Sequence, residues 1–137
     1  MRWSPCAAAD FVRGQIAEAV RQGARALLDP GRFPAHAEGT PYLAPQVLVD
    51  VAPSMRVMRE ESFGPVVSVI RVSGDEEAIA TANDSEYGLS SAVFTRDGEA
   101  PGDVARRIEA GICHVNGPTV HDEAQMPVSY THLTLPT

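Results

Sequence analysis

Two carboxylates, an aromatic ring and a Gly-Pro pair fall together in Glu60-Glu61-Ser62-Phe63-Gly64-Pro65. A carboxylate accepts hydrogen bonds from hydroxyls and amines, and a bond to a charged group contributes about 1.5–3 kcal/mol. Pro65 lacks an N–H and fixes its own φ, so no helix continues through it. It also biases Gly64 away from the α region. Val66 to Val72 reads Val-Val-Ser-Val-Ile-Arg-Val, a β-branched run that predicts a buried strand. Glu61 and Phe63 then lie on a short irregular segment just ahead of a strand, where side chains reach a ligand from a rigid support. The same residues also suit a solvated acidic pair followed by a core phenylalanine, and residue types alone do not separate the two.

Few other residues offer chemistry. Cys6 and Cys113 are far apart and lack a nearby ligand set, which argues against a disulfide framework and against zinc. Cys6 follows Ser4-Pro5 at a helix start, a position that can lower a thiol pKa. Cys113 sits in an apolar run and reads as a small buried hydrophobe. His36 falls in a Pro- and Gly-rich stretch and is expected to be exposed. His121 lies in a polar loop, and loop position alone assigns it no chemistry. No Gly-x-Gly-x-x-Gly follows a strand, so the pyrophosphate half of a dinucleotide site is not found in this chain.

The elements that must position these groups follow from pattern. Ser4 is a predicted N-cap with Pro5 at the first helical position. Val12, Ile16, Ala19, Val20, Gly23 and Leu27 keep a helical period, which predicts one amphipathic helix ending near Leu28. Asp29 to Pro45 is rich in proline and reads as a surface loop. Gln46 to Val51 predicts a strand, and Met55 to Met58 leads into the acidic pair. Ser73 and Glu76 form a predicted capping box for a helix that buries Ile79 and ends near Asp84. Gly88 is expected where the chain turns with positive φ. Ser90 to Thr95 predicts a strand, Pro101 opens a helix closed by Gly111, and Ile112 to Asn116 predicts the last strand. Strands alternating with helices give an α/β fold with three helices on a largely parallel sheet.

The chain has 137 residues, 44% of them hydrophobic and 21% charged, which suits a soluble domain with its own core. A net charge of -7 argues against nucleic acid, whose phosphates need a basic face. No apolar run approaches the ~20 residues of a membrane span. Met1-Arg2-Trp3-Ser4-Pro5 lacks the apolar core of a signal peptide, so a cytoplasmic setting is expected.

Several of these stretches together resemble the aldehyde dehydrogenase superfamily. Glu60 to Pro65 is similar to its Glu-Glu-x-Phe-Gly-Pro signature. Asn83-Asp84-Ser85-Glu86-Tyr87-Gly88-Leu89 is similar to its Asn-x-x-x-Tyr-Gly-Leu turn. Pro45 to Val51 matches a Pro-x-Val-Leu-x-Asp-Val strand, and Ala19 to Ala24 matches the end of a family helix. The resemblance covers about Ala8 to Pro127, the later part of that family's catalytic domain. It implies NAD or NADP as cofactor, with Glu61 bonding the nicotinamide-ribose hydroxyls and Phe63 packed beside that ribose. A vicinal diol offers two donors, and one carboxylate accepts both. The loop Gly117 to Pro127 most resembles the branch acting on vanillin, benzaldehyde and salicylaldehyde. The resemblance also implies a small-molecule aldehyde substrate and a homo-oligomeric enzyme.

Departures from the family pattern carry expectations of their own. The family's nucleophilic cysteine sits in a Gly-Gln-x-Cys context that Cys6 does not fit, so no catalytic residue and no metal ligand is assigned. The chain is therefore expected to be a piece of an aldehyde-oxidising enzyme, inactive alone. A small non-catalytic α/β binding module is the alternative. After Met126-Pro127 the family continues Phe-Gly-Gly-x-Lys-x-Ser-Gly, whereas here Val128-Ser129-Tyr130-Thr131-His132-Leu133-Thr134-Leu135-Pro136-Thr137 follows. With permitted codons that string spells the end of a transposon-type sequencing adapter. Residues 1–127 are expected to be family sequence, and residues 128–137 a non-native tail.

Overall fold

A computed structural model describes residues 4–96 and 101–120, and the chain divides into two compact units after Arg71. The first unit opens with helix α1, Pro5–Arg21. Ser4 caps it as expected: its Oγ accepts the Ala7 N–H at 3.2 Å. The buried face is Ala9, Val12, Gln15 and Ala19. The helix stops well short of Leu28. Gly23 takes φ 109°, in the left-handed region that favours glycine, and the Ala24 N–H turns back to the Ala19 carbonyl at 2.9 Å. Val20 and Leu27, expected on the apolar face, are instead 44% and 50% exposed.

Beyond that turn Arg25–Ala26 form strand β1. It pairs antiparallel with β2, Gln46–Val49, which pairs parallel with β3, Val66–Ser68. The central strand β2 supplies Leu48, which is fully buried against Ala19, Ala24, Val51 and Met55. Gln46 extends the β1 edge with its side chain: Oε1 accepts the Leu28 N–H and Nε2 donates to the Leu28 carbonyl, each at 2.9 Å. This explains why a glutamine is buried at the start of a strand. The loop between β1 and β2 is irregular apart from a 3-10 turn at Pro30–Arg32. His36 is half-buried there rather than exposed, because its Nδ1 accepts the Ala44 N–H at 3.0 Å. A short helix α2, Arg56–Arg59, precedes the acidic pair. β3 is shorter than the predicted run and not buried: Val67 and Val69 are 53% and 49% exposed. Among the described residues it pairs with β2 alone.

The second unit holds α3, Asp75–Asn83, β4, Ser90–Val93, α4, Pro101–Arg107, and β5, Ile112–Val115. β4 and β5 are parallel, with Ser90 opposite Ile112 and Val93 opposite Val115. Among the described residues the strands hydrogen-bond as a group of three and a group of two. Cys113, on β5, is half-buried and not buried. The cap of α3 also differs from expectation. Gly74 is the N-cap, so the residue three positions into the helix is Glu77. Its Oε2 accepts the Ser73 N–H at 2.8 Å and the Ser73 hydroxyl at 2.5 Å. Glu76 turns instead to Arg107, with two bonds at 2.7 and 2.6 Å.

The Asn83-to-Leu89 turn acts as a clamp. Asn83 Nδ2 donates to the Arg107 carbonyl at 2.8 Å, and Asn83 Oδ1 accepts the Glu109 N–H at 2.9 Å. The Gly88 carbonyl accepts the Gly111 N–H at 2.8 Å. Gly88 is not among the glycines at positive φ. Its requirement is space, since an added Cβ would stand 2.8 Å from the Glu109 carbonyl oxygen. Backbone cannot yield as a flexible side chain does, so Gly88→Ala is expected to destabilise the second unit by about 1–3 kcal/mol. Urea unfolding followed by far-UV circular dichroism reads that change as a lower midpoint.

Candidate functional site

The acidic segment leaves α2 with extended backbone, Glu60 lying at φ -102° and ψ 145°. In extended chain, successive side chains point to opposite sides. Ser62 is half-buried, whereas Glu60, Glu61 and Phe63 are exposed, Phe63 at 79%.

Glu60 and Ser62 are tied down. Arg56 donates from Nε to Glu60 Oε1 at 3.0 Å and from a terminal nitrogen to Glu60 Oε2 at 2.8 Å. Its other terminal nitrogen reaches Glu18 on α1 at 3.0 Å. The guanidinium also lies 5.5 Å from the centroid of the Phe11 ring, a cation–π distance. Hydrogen bonds to Glu60 and then Glu18 raise the Arg56 pKa. The same Arg56 contact holds the Glu60 carboxyl below the usual carboxylate range. Glu60 is therefore committed to an internal cation.

Ser62 is the second anchor. Its Oγ donates to Gln15 Oε1 at 2.8 Å, and Gln15 is fully buried in α1. Gly64 follows the contour of the same helix: an added Cβ would stand 3.1 Å from Val12 Cγ2 and 3.5 Å from Leu43 Cδ2. The Gly64 N–H bonds the Ser62 carbonyl at 3.0 Å, and the Pro65 carbonyl accepts the Gln46 N–H at 2.8 Å. The segment is thus pinned at Glu60, at Ser62 and at the entry to β3.

On this braced strip Glu61 and Phe63, two residues apart, are both exposed. Among the described residues Phe63 is 79% exposed and lies outside the core cluster. A carboxylate acceptor beside an apolar ring is chemically able to take a sugar whose adjacent hydroxyls donate.

The structure brings Glu61 and Phe63 to one strip, as expected from sequence. It adds two residues that pattern reading missed, Gln15 and Arg56. The i, i+4 spacing of Arg56 and Glu60 was a readable signal. Nothing local marks Gln15 as the partner of a serine far along the chain. Elsewhere, Cys6 is half-buried in the first turn of α1, and no cluster of metal-ligating side chains occurs among the described residues. No helix among them is long and apolar enough to cross a membrane. In the proposed substrate loop, Thr119 accepts a bond from the Ser90 hydroxyl at 3.2 Å and Val120 is 87% exposed. His121, the rest of that loop and residues 128–137 with His132 lie outside the described residues.

The chain is similar to known proteins over most of its length. The profile described as aldehyde dehydrogenase family matches residues 5–129. Vanillin dehydrogenase of Pseudomonas fluorescens is 51% identical over 116 residues, covering 85% of this chain and 23% of that protein. The crystal structure of a salicylaldehyde dehydrogenase from Pseudomonas putida, complexed with salicylaldehyde, superposes with a TM-score of 0.78 at 40% identity; 88% of this chain and 24% of that one are covered. A mutant of aldehyde dehydrogenase C from Pseudomonas syringae, in complex with NAD+ and octanal, gives a TM-score of 0.77 at 38% identity, with 89% and 25% covered. The chain spans about a quarter of the length of the relatives it matches.

Proposed function

The chain belongs to the aldehyde dehydrogenase family, and from that premise we propose that it carries the nicotinamide-ribose contact of an enzyme oxidising an aldehyde to its carboxylic acid with NAD or NADP. The observation that carries the proposal is the exposure of Glu61 and Phe63 together on a strip braced through Glu60 by Arg56 and through Ser62 by Gln15. Bound NAD(P) supplies the hydride acceptor. The chain's own part is positional. Glu61 accepts the ribose hydroxyls, Phe63 walls the ribose on one side, and Arg56 keeps Glu60 from competing with Glu61 for the same donors.

Aromatic aldehydes are the proposed substrates, supported by the vanillin and salicylaldehyde relatives. Attack on the carbonyl needs an activated thiolate, and neither Cys6 nor Cys113 stands in the Gly-Gln-x-Cys context. The chain by itself is therefore expected to be inactive. Homo-oligomeric assembly and a cytoplasmic setting belong to the same proposal through the family resemblance, and the net charge of -7 supports the absence of a nucleic-acid partner.

A hybrid enzyme tests this. Residues 5–127 replace the matching segment of the Pseudomonas fluorescens vanillin dehydrogenase, and NAD(P)H formation is followed with vanillin and salicylaldehyde. Turnover by the hybrid and none by the 137-residue chain is the expected result. A correctly folded hybrid that binds neither nicotinamide cofactor would overturn the proposal.

A further inference from the structure

We infer that Gln15 and Ser62 are positioning residues for the cofactor contact: the buried Gln15 amide fixes the rotation of the Glu60-to-Gly64 strip through Ser62, and so aims Glu61 and Phe63 outward. The inference rests on the reading of Glu61 and Phe63 given above. Gln15 is fully buried in a helix face otherwise made of Ala9, Val12 and Ala19. Burying an amide among apolar groups is unfavourable unless it makes hydrogen bonds. Its Oε1 is used by Ser62 Oγ at 2.8 Å. Its Nε2 makes no hydrogen bond among the described residues, so Ser62 is the partner that the printed geometry gives this amide.

The consequence follows from extended-chain alternation. If Ser62 loses its anchor, the backbone between the Arg56–Glu60 pair and Pro65 is free to rotate, and the outward residues rotate with it. A carboxylate that must meet two hydroxyls at once is sensitive to such rotation, because reacting and binding groups need placement within fractions of an ångström. Arg56 alone does not fix that rotation, since it grips the strip only at its first residue.

The test uses the hybrid enzyme with Ser62→Ala, Gln15→Leu, the double variant, Ser62→Thr and Glu61→Gln. Ser62→Ala and Gln15→Leu are each expected to raise KM for NAD(P) about five-fold while KM for the aldehyde stays within two-fold. The double variant should be no worse than the poorer single, because both remove one interaction. Ser62→Thr keeps the hydroxyl and should restore the parental KM. If Gln15→Leu fails to fold, the half-buried Ser62 carries the test through Ser62→Ala and its threonine rescue. Unchanged cofactor KM in Ser62→Ala, with Glu61→Gln still impaired, overturns the positioning role and leaves the cofactor reading intact. Unchanged cofactor KM in Glu61→Gln overturns the reading on which both rest. A parallel rise in both KM values would mark a merely structural role and also overturn the inference.

Discussion

Glu61→Gln in the hybrid enzyme is expected to lower kcat/KM for NAD(P) by roughly ten-fold, with hydride transfer slowed more than aldehyde binding. The size follows from the bond type. Hydrogen bonds to a charged acceptor contribute about 1.5–3 kcal/mol, and those between neutral groups about 0.5–1.5 kcal/mol. The difference is close to 1.4 kcal/mol, a factor of about ten. A glutamine also offers one acceptor oxygen where the carboxylate offers two, so one ribose hydroxyl faces an amide N–H. Because Glu61 lies outside the core cluster, the substitution is expected to leave the packed core in place. Steady-state kinetics with cofactor as the varied substrate measures the effect, and equal kcat/KM for the two proteins would refute the role.

Leu48→Ala is the substitution expected to cost the most stability, about 2–5 kcal/mol. Leu48 is fully buried at the centre of the middle strand, with Ala19 and Ala24 across from it. Those neighbours are too small to fill the space a leucine leaves. Met55 is the flexible side chain in the cluster and can close part of the cavity, which favours the lower half of that range. Urea unfolding should show a lower midpoint with an unchanged slope. The strip at Glu61 leads into β3, which pairs with the strand that carries Leu48, so the hybrid carrying Leu48→Ala should also lose cofactor affinity before it loses all secondary structure. A shift below about 0.5 kcal/mol would contradict the assigned core.

Much of this was legible in the residues. Ser4 and Pro5 mark the start of α1, and the strands expected at Gln46 to Val51 and Ile112 to Asn116 form over Gln46–Val49 and Ile112–Val115. Glu61 and Phe63 stood out because Gly-Pro punctuation placed them ahead of a strand. The misses have physical causes. The end of α1 was overrun because apolar residues at Val20, Gly23 and Leu27 keep a helical period, while Gly23 at φ 109° breaks the backbone itself. α2 has no side-chain cap and only four residues, so Arg56 binding Glu18 and Glu60 stabilises what propensity does not. Gly74 takes the N-cap position, so the carboxylate that reaches back to Ser73 is Glu77, one residue beyond the Glu76 that the sequence pattern predicts. The Gln15–Ser62 contact joins residues whose partnership depends on tertiary packing, and periodicity carries no trace of it.

The most direct test of the central claim is a crystal structure of the hybrid enzyme with NAD+ bound. The account predicts both Glu61 carboxylate oxygens within about 2.5–2.7 Å of the nicotinamide-ribose hydroxyls, with the Phe63 ring against the same sugar and Ser62 still bonded to Gln15. A nicotinamide ribose held by other residues, with Glu61 directed into solvent, would contradict it.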